Sequence, residues 1–243
     1  MILDSADFIF EAPSSLSRAR RILIKPAAAA AQPYPHSVSR EMMHNIIGGI
    51  RRISDADILI LEGTPQCKPM APVYKDLKYD FPRVLLLDVR DTTMVEVDNP
   101  LLKPLVMPTF LVPNVILSAD YLISVAPLKI IGGQGWLTIA NLLSLLCGAR
   151  QGAEAQIEWE ALLAQDKSRI LADLYYTMPF DLGIIEGRQK YVSKADSARG
   201  EAERYGKVFI GEPYQVDREV SQTLGIKTEY LKLIDEARAD LEV

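Results

Sequence analysis

Arg21-Ile-Leu-Ile-Lys25 and Asp57-Ile-Leu-Ile-Leu-Glu62 are the two stretches that decide the fold. Each is a short run of β-branched and leucine residues, stopped by Pro26 in the first case and by Gly63 in the second. Apolar runs of this length without polar alternation read as strands buried on both faces. Between them Met42, Met43, Ile46, Ile47, Ile50 and Ile53 recur at helical spacing, with Ser37 or Ser39 as the N-cap. Strand, helix and strand make a βαβ crossover, which requires a parallel pair of strands.

The same alternation extends along the chain. Val73 to Tyr79 predicts a short helix, and Arg83-Val-Leu-Leu-Leu-Asp88 a third buried strand. Thr93 to Val97 and Val106 to Val112 predict added strands, kept short or at an edge by Pro100, Pro104, Pro108 and Pro113. Tyr121-Leu-Ile-Ser-Val-Ala126 predicts a core strand, followed by a loop over Pro127 to Gly135 and a helix over Trp136 to Cys147. A longer helix is expected over Ala155 to Tyr176. Strands are expected at Asp181 to Glu186 and Lys207 to Gly211, and closing helices at Tyr214 to Leu224 and Lys227 to Leu241. The polar stretch Gln189 to Gly206 reads as a long flexible loop. The expected architecture is α/β: a mostly parallel sheet with helices on both faces and a few added edge strands, in one domain over 1–243.

Composition bounds the function classes. Of 243 residues, 49% are hydrophobic and 24% charged, which excludes disorder as the main state. A net charge of −5 with scattered basic groups argues against a nucleic-acid partner. The densest basic cluster, Arg18, Arg20 and Arg21, reads as a solvated strand edge. The longest apolar stretch is about 12 residues, too short to span a bilayer, so no membrane role is expected. The N-terminus carries Asp4, Asp7 and Glu11 and no basic region, so it is not a signal peptide, and a cytoplasmic location is the default. Cys67 and Cys147 are the only cysteines and form no CxxC, so an iron–sulfur cluster is not expected. A disulfide between them is not favoured, because Cys147 reads as a small core residue.

Candidate chemistry sits where parallel strands end, since ligands bind beyond their carboxyl ends. Those ends place Lys25, Glu62, Asp88, Lys129, Glu186 and Glu212, a mixed-charge set able to meet in one crevice. Lysines and carboxylates together suit a small anionic or metal-linked ligand. Gly132-Gly-Gln-Gly135 lies between the expected strand and helix. Gly133 and Gly135 there read either as turn residues needed for packing or as part of a cradle for phosphate or carboxylate. The segment matches neither GxGxxG nor a Walker loop. His36, in the proline-rich loop past the first strand, is the histidine placed to touch a ligand; His44 reads as a surface helix residue.

Four ordered segments resemble the iron–sulfur-associated domain of unknown function family 362. They are Ile22-Leu-Ile-Lys-Pro26 through Pro33-Tyr-Pro to Ala56-Asp-Ile-Leu-Ile-Leu-Glu-Gly63; Leu122-Ile-Ser-Val-Ala-Pro-Leu-Lys129 leading to Asn141-Leu-Leu-Ser-Leu-Leu-Cys-Gly148; Asp181-Leu-Gly-Ile-Ile-Glu-Gly187; and Gly211-Glu-Pro-Tyr-Gln-Val-Asp217. The resemblance is to a divergent member. Ala27 stands where members usually carry Asn, Ile130-Ile131 replaces a polar pair, and the ferredoxin-like cysteine module is absent. Lys25, Glu62, Lys129, Asn141, Glu186 and Asp217 are the polar positions that the resemblance retains. It implies redox-linked or cofactor-linked roles, with electrons supplied by a partner protein because this chain has no cluster of its own; which cofactor is not implied. Asp217 has a plainer explanation as an acidic residue in the first turn of a helix, where it suits the dipole. Two functions stand as expectations: a ligand-binding, enzyme-like domain, or an interaction or regulatory protein, oligomeric in some form, that keeps the scaffold after losing the site.

Overall fold

The computed structural model describes residues 1–64, 68–147, 160–162, 164–194 and 199–241. Its main sheet has eight strands: β1 (Ile2–Asp4), β2 (Arg21–Pro26), β3 (Asp57–Glu62), β4 (Val84–Asp88), β7 (Tyr121–Ile131), β8 (Gln134–Trp136), β9 (Leu182–Ser193) and β10 (Gly200–Gly211). The order is β1-β10-β9-β7-β2-β3-β4, with β8 paired to β7. From β4 through β3, β2 and β7 to β9 every pairing is parallel. β10 and β1 add antiparallel strands at one edge. β5 (Met94–Asp98) and β6 (Thr109–Pro113) pair with each other as a separate two-stranded sheet.

Helices cover both faces. On one, α1 (Arg40–Arg51) and α2 (Met70–Asp76) bury Met43, Ile46, Ile50 and Tyr74 against Ile22, Ile24, Ile58 and Ile60. Ser39 caps α1 by accepting from the Met42 N–H at 3.0 Å, as its residue type suggests. The other face carries α3 (Asn114–Leu117), the 3-10 helix Ala140–Leu146, α4 (Lys167–Thr177) and α6 (Glu229–Leu241). These pack Leu142, Ile170, Leu174 and Ile234 with Leu23 and Leu61. α5 (Pro213–Leu224) lays Val216 and Val220 against Ile185 and Phe209.

Four expectations need correction. The strand expected to stop at Ala126 runs on to Ile131, with Pro127 at a register shift where the missing N–H costs no ladder bond. Pro127 to Gly135 is therefore not a loop. Residues 132 and 133 form a two-residue hairpin turn between Ile131 and Gln134, with φ of +60° and +77°, the turn that needs two left-handed residues. The helix expected from Trp136 begins only at Ala140, after β8, and is a 3-10 helix. The flexible loop expected over Gln189 to Gly206 is largely the paired ends of β9 and β10. Its charges ride on a half-exposed arm that the far end of β7 shares with β9 and β10, where charge does not signal a loop. Cys67, and the part of the long expected helix before Glu160, lie outside the described residues.

The hairpin supplies a direct check. Gly133→Val should destabilise by about 1–2 kcal/mol, because a β-branched residue is strained at positive φ. Gly133→Asn should cost a fraction of that. Urea midpoints of the two variants read the difference.

Candidate functional site

Strand order reverses direction between β2 and β7. β3 and β4 lie on one side of β2, while β7 and β9 lie on the other. Crossovers that leave on opposite faces open a crevice at such a point, beyond the carboxyl ends of the strands. Lys25 is the penultimate residue of β2, beside Ser124 of β7, and Glu62 ends β3. Both side chains are buried, at 1% and 0% exposure.

The Lys25 ammonium donates to Glu62 at 2.7–2.8 Å, to the Asn141 Oδ1 at 2.8 Å and to the Pro26 carbonyl at 3.1 Å. Three acceptors around one nitrogen match the three donors of an ammonium. Burial pushes the Lys25 pKa down, and the Glu62 carboxylate opposes that shift; the three acceptors argue that the ammonium prevails. Glu62 also accepts from the N–H groups of Ala28 (2.8 Å) and Gly63 (2.9 Å) and from the Ser144 hydroxyl (2.6 Å). Asn141 turns its amide nitrogen to the Lys25 carbonyl, the Ser124 hydroxyl and the Val125 carbonyl. This network stitches β2, β3, β7 and the 3-10 helix together at the switch point.

Lys129 differs. The unexpected extension of β7 carries it past the end of β2, opposite Tyr191 of β9. Its ammonium donates to the His36 carbonyl at 3.0 Å and makes no other hydrogen bond or ion pair among the described residues. Burial lowers its pKa to about 8, the Lys25 charge pushes the same way, and Glu62 opposes both. Lys25, Glu62 and Lys129 thus carry two positive charges and one negative within electrostatic reach of one another. His36 joins through its backbone, while its ring lies 4.5 Å from that of Tyr191.

The remaining expected residues sit elsewhere or do other work. Glu186 is fully buried and accepts from the Ser39 N–H (2.8 Å) and hydroxyl (2.6 Å) and from Arg188 (2.7 Å). It clamps the start of α1 to β9. Burial raises its pKa against the pull of Ser39 and Arg188. Asp217 lies beyond the first turn of α5, which corrects the helix-dipole expectation. Its buried carboxylate accepts from the Thr138 N–H and hydroxyl, the Ile139 N–H and the Tyr230 hydroxyl. Burial raises its pKa to about 6 despite these four donors. Gly133 and Gly135 belong to the hairpin and precede no helix N-terminus, so the geometry expected of an anion cradle is absent. A Cβ on Gly135 would meet Ile226 and Leu137 at 3.0–3.1 Å, which is a packing requirement. Asp88 accepts from the Met70 and Arg90 N–H groups, and Glu212 caps α5.

Sequence reasoning missed Ser144 and the Ala28 N–H as partners of Glu62, since neither residue type signals a buried acceptor nearby. It also missed Asp173, buried in α4, whose carboxylate accepts from three consecutive N–H groups, Leu105 to Met107, at 2.8–2.9 Å.

No protein-family model and no curated protein matches the chain. Among solved structures it is similar to the lactate racemase apoprotein from Thermoanaerobacterium thermosaccharolyticum. The likeness is one of fold. The TM-score is 0.56 at 13% identity, over 90% of this chain and 53% of that one. This chain therefore spans about half the length of the racemase it matches. The fold class read from the buried strands agrees with this neighbour, and the resemblance to family 362 rests on its four segments alone. No described helix is long and apolar enough to cross a membrane.

Proposed function

We propose that this chain is a ligand-binding α/β domain that takes a small anion at Lys129, beside the Lys25–Glu62–Asn141 network. The observation that carries this is the surplus of one positive charge at the switch point. A charge partly withdrawn from water without a counter-ion carries a desolvation cost. Lys25 has its counter-ion in Glu62 and its donors are used, whereas Lys129 has one carbonyl. The site reduces that cost in one of two ways: Lys129 gives up its proton, or an anion arrives. Glu62 is committed to Lys25, and the other gathered groups are ammoniums, an amide and a hydroxyl, which suit carboxylate or phosphate. By analogy of fold alone, the neighbour named for lactate acts on a small carboxylate.

Native mass spectrometry with oxalate or phosphate tests the reading. The intact chain should hold one anion, and Lys129→Met should lose it while keeping its circular dichroism. Equal adducts in both proteins would favour the other expectation, an interaction or regulatory scaffold without a live site.

The pH dependence has a fixed sign. An anion needs the charged lysine, so affinity should be full below about 8 and fall as pH rises through that value. Above it the loss should approach about tenfold per pH unit. An ordinary lysine would hold its affinity to about pH 10.4. Equilibrium titrations at a series of pH values separate the two.

A further inference from the structure

We infer that the open edge of β4 is the seam of a homodimer, in which a second copy of this chain pairs its own β4 antiparallel across a two-fold axis at Leu85. The inference is independent of the anion site.

β4 has the composition of an interior strand and the surroundings of an outer one. Val84-Leu-Leu-Leu87 is an uninterrupted apolar run, of the kind that parallel sheets enclose on both faces. The other parallel strands, β2, β3, β7 and β9, are buried along most of their length. No residue of β4 is buried, and Leu85 is 56% exposed. Among the described residues β4 pairs with β3 alone, so the backbone N–H and C=O groups on its other side meet no strand. Edge strands are ordinarily blunted by shortness, charge, proline or a bulge. β1, at the opposite edge, is three residues long and carries Asp4. β4 has no charge or proline between Arg83 and Asp88, and its register with β3 is unbroken.

Charge identifies the occupant as a second copy. The cleft at the start of β4 is lined by Arg21, Arg51 and Arg83 with Asp55 and Asp57, a surplus of positive charge. The groove toward its end is lined by Lys75 and Lys78 with Asp80, Asp88 and Asp91, a surplus of negative charge. Antiparallel pairing sets the positive end of each strand against the negative end of the other, twice by symmetry. A parallel arrangement would put like charges together. With the axis at Leu85, Arg83 of each copy lies opposite Leu87 of the other, next to Asp88 and one turn from Asp91. The two Leu85 side chains then meet on one face of a continuous sheet.

Sedimentation equilibrium of the full chain tests this. At about 100 μM, where even small transient interfaces are populated, the chain should run at twice its monomer mass. Leu85→Lys should weaken the dimer at least about tenfold, because it brings two like charges together at the axis. It should keep the circular dichroism and urea midpoint of the monomer, since Leu85 is exposed. Arg83→Asp and Asp91→Arg should each weaken self-association by opposing like charges. Mixed in equal amounts, the two variants should recover wild-type affinity, because both contacts in the mixed pair again join opposite charges. A wild-type chain that stays monomeric would overturn the inference. So would a dimer that Leu85→Lys leaves intact, or charge variants that do not complement each other when mixed.

Discussion

Glu62→Ala is expected to lower stability by about 3–5 kcal/mol, the largest effect of any single change at the site. The carboxylate is wholly buried and has four partners: the Lys25 ammonium, the Ala28 and Gly63 N–H groups, and the Ser144 hydroxyl. Its removal strands an ammonium at 1% exposure with only an amide oxygen and a carbonyl. A buried charge left in that state costs far more than the pair gains, since the pair itself stabilises little over an apolar substitute. Adding Lys25→Met to the variant should therefore restore part of the loss. The Ala28 and Gly63 N–H groups and Ser144 stay unsatisfied, so restoration should be incomplete. Urea unfolding of the two singles and the double completes the cycle. Additive losses would mean that the two residues do not act as a pair.

Asp173→Ala should cost about 3 kcal/mol or more, from a residue that takes no part in the Lys25–Glu62–Asn141 network. Three successive backbone N–H groups, Leu105 to Met107, converge on its two oxygens within 2.9 Å. Hydrogen bonds to a charged acceptor are worth about 1.5–3 kcal/mol, and unpaired buried donors are penalised on top. The carboxylate is the tie between α4 and the connection from β5 to β6, whose other polar anchor is Asn99, donating to the Met107 carbonyl. Hydrogen exchange should therefore quicken first at residues 105–107, ahead of the parallel strands. Uniform quickening across the sheet would show that the tie is not local.

How much of this is legible in the sequence depends on what each segment buries. β2 and β3 announce themselves because their apolar runs are enclosed on both faces; β4 carries a similar run although it lies at the edge of the sheet, with Leu85 56% exposed rather than buried as its sequence suggests. The arm formed by the far halves of β7, β9 and β10 does not. It is half in water, its Lys190, Glu201, Glu203 and Arg204 read as solvated, and Pro127 looks like a stop signal although it sits at a register shift. Lys25 and Glu62 are legible as strand ends, and the structure brings them together. Lys129 is legible too, but as the end of a strand that in fact continues past it. Asn141 emerges only through the family resemblance. The Asp173 tie is silent, because its partners are backbone groups that any residue carries. Gly132 and Gly133 mark a special turn in the sequence and form one in the structure. The turn leads into a strand rather than a helix, and that difference removes the anion cradle.

The most direct test of the central claim is the titration of the Lys129 ammonium itself, observed by nitrogen NMR with and without oxalate and assigned through Lys129→Arg. A charge surplus at the switch point predicts a midpoint near 8 in the free protein. It also predicts a clear upward shift when oxalate supplies the missing negative charge. A midpoint near 10.4, the ordinary lysine value, unmoved by oxalate, would contradict the account.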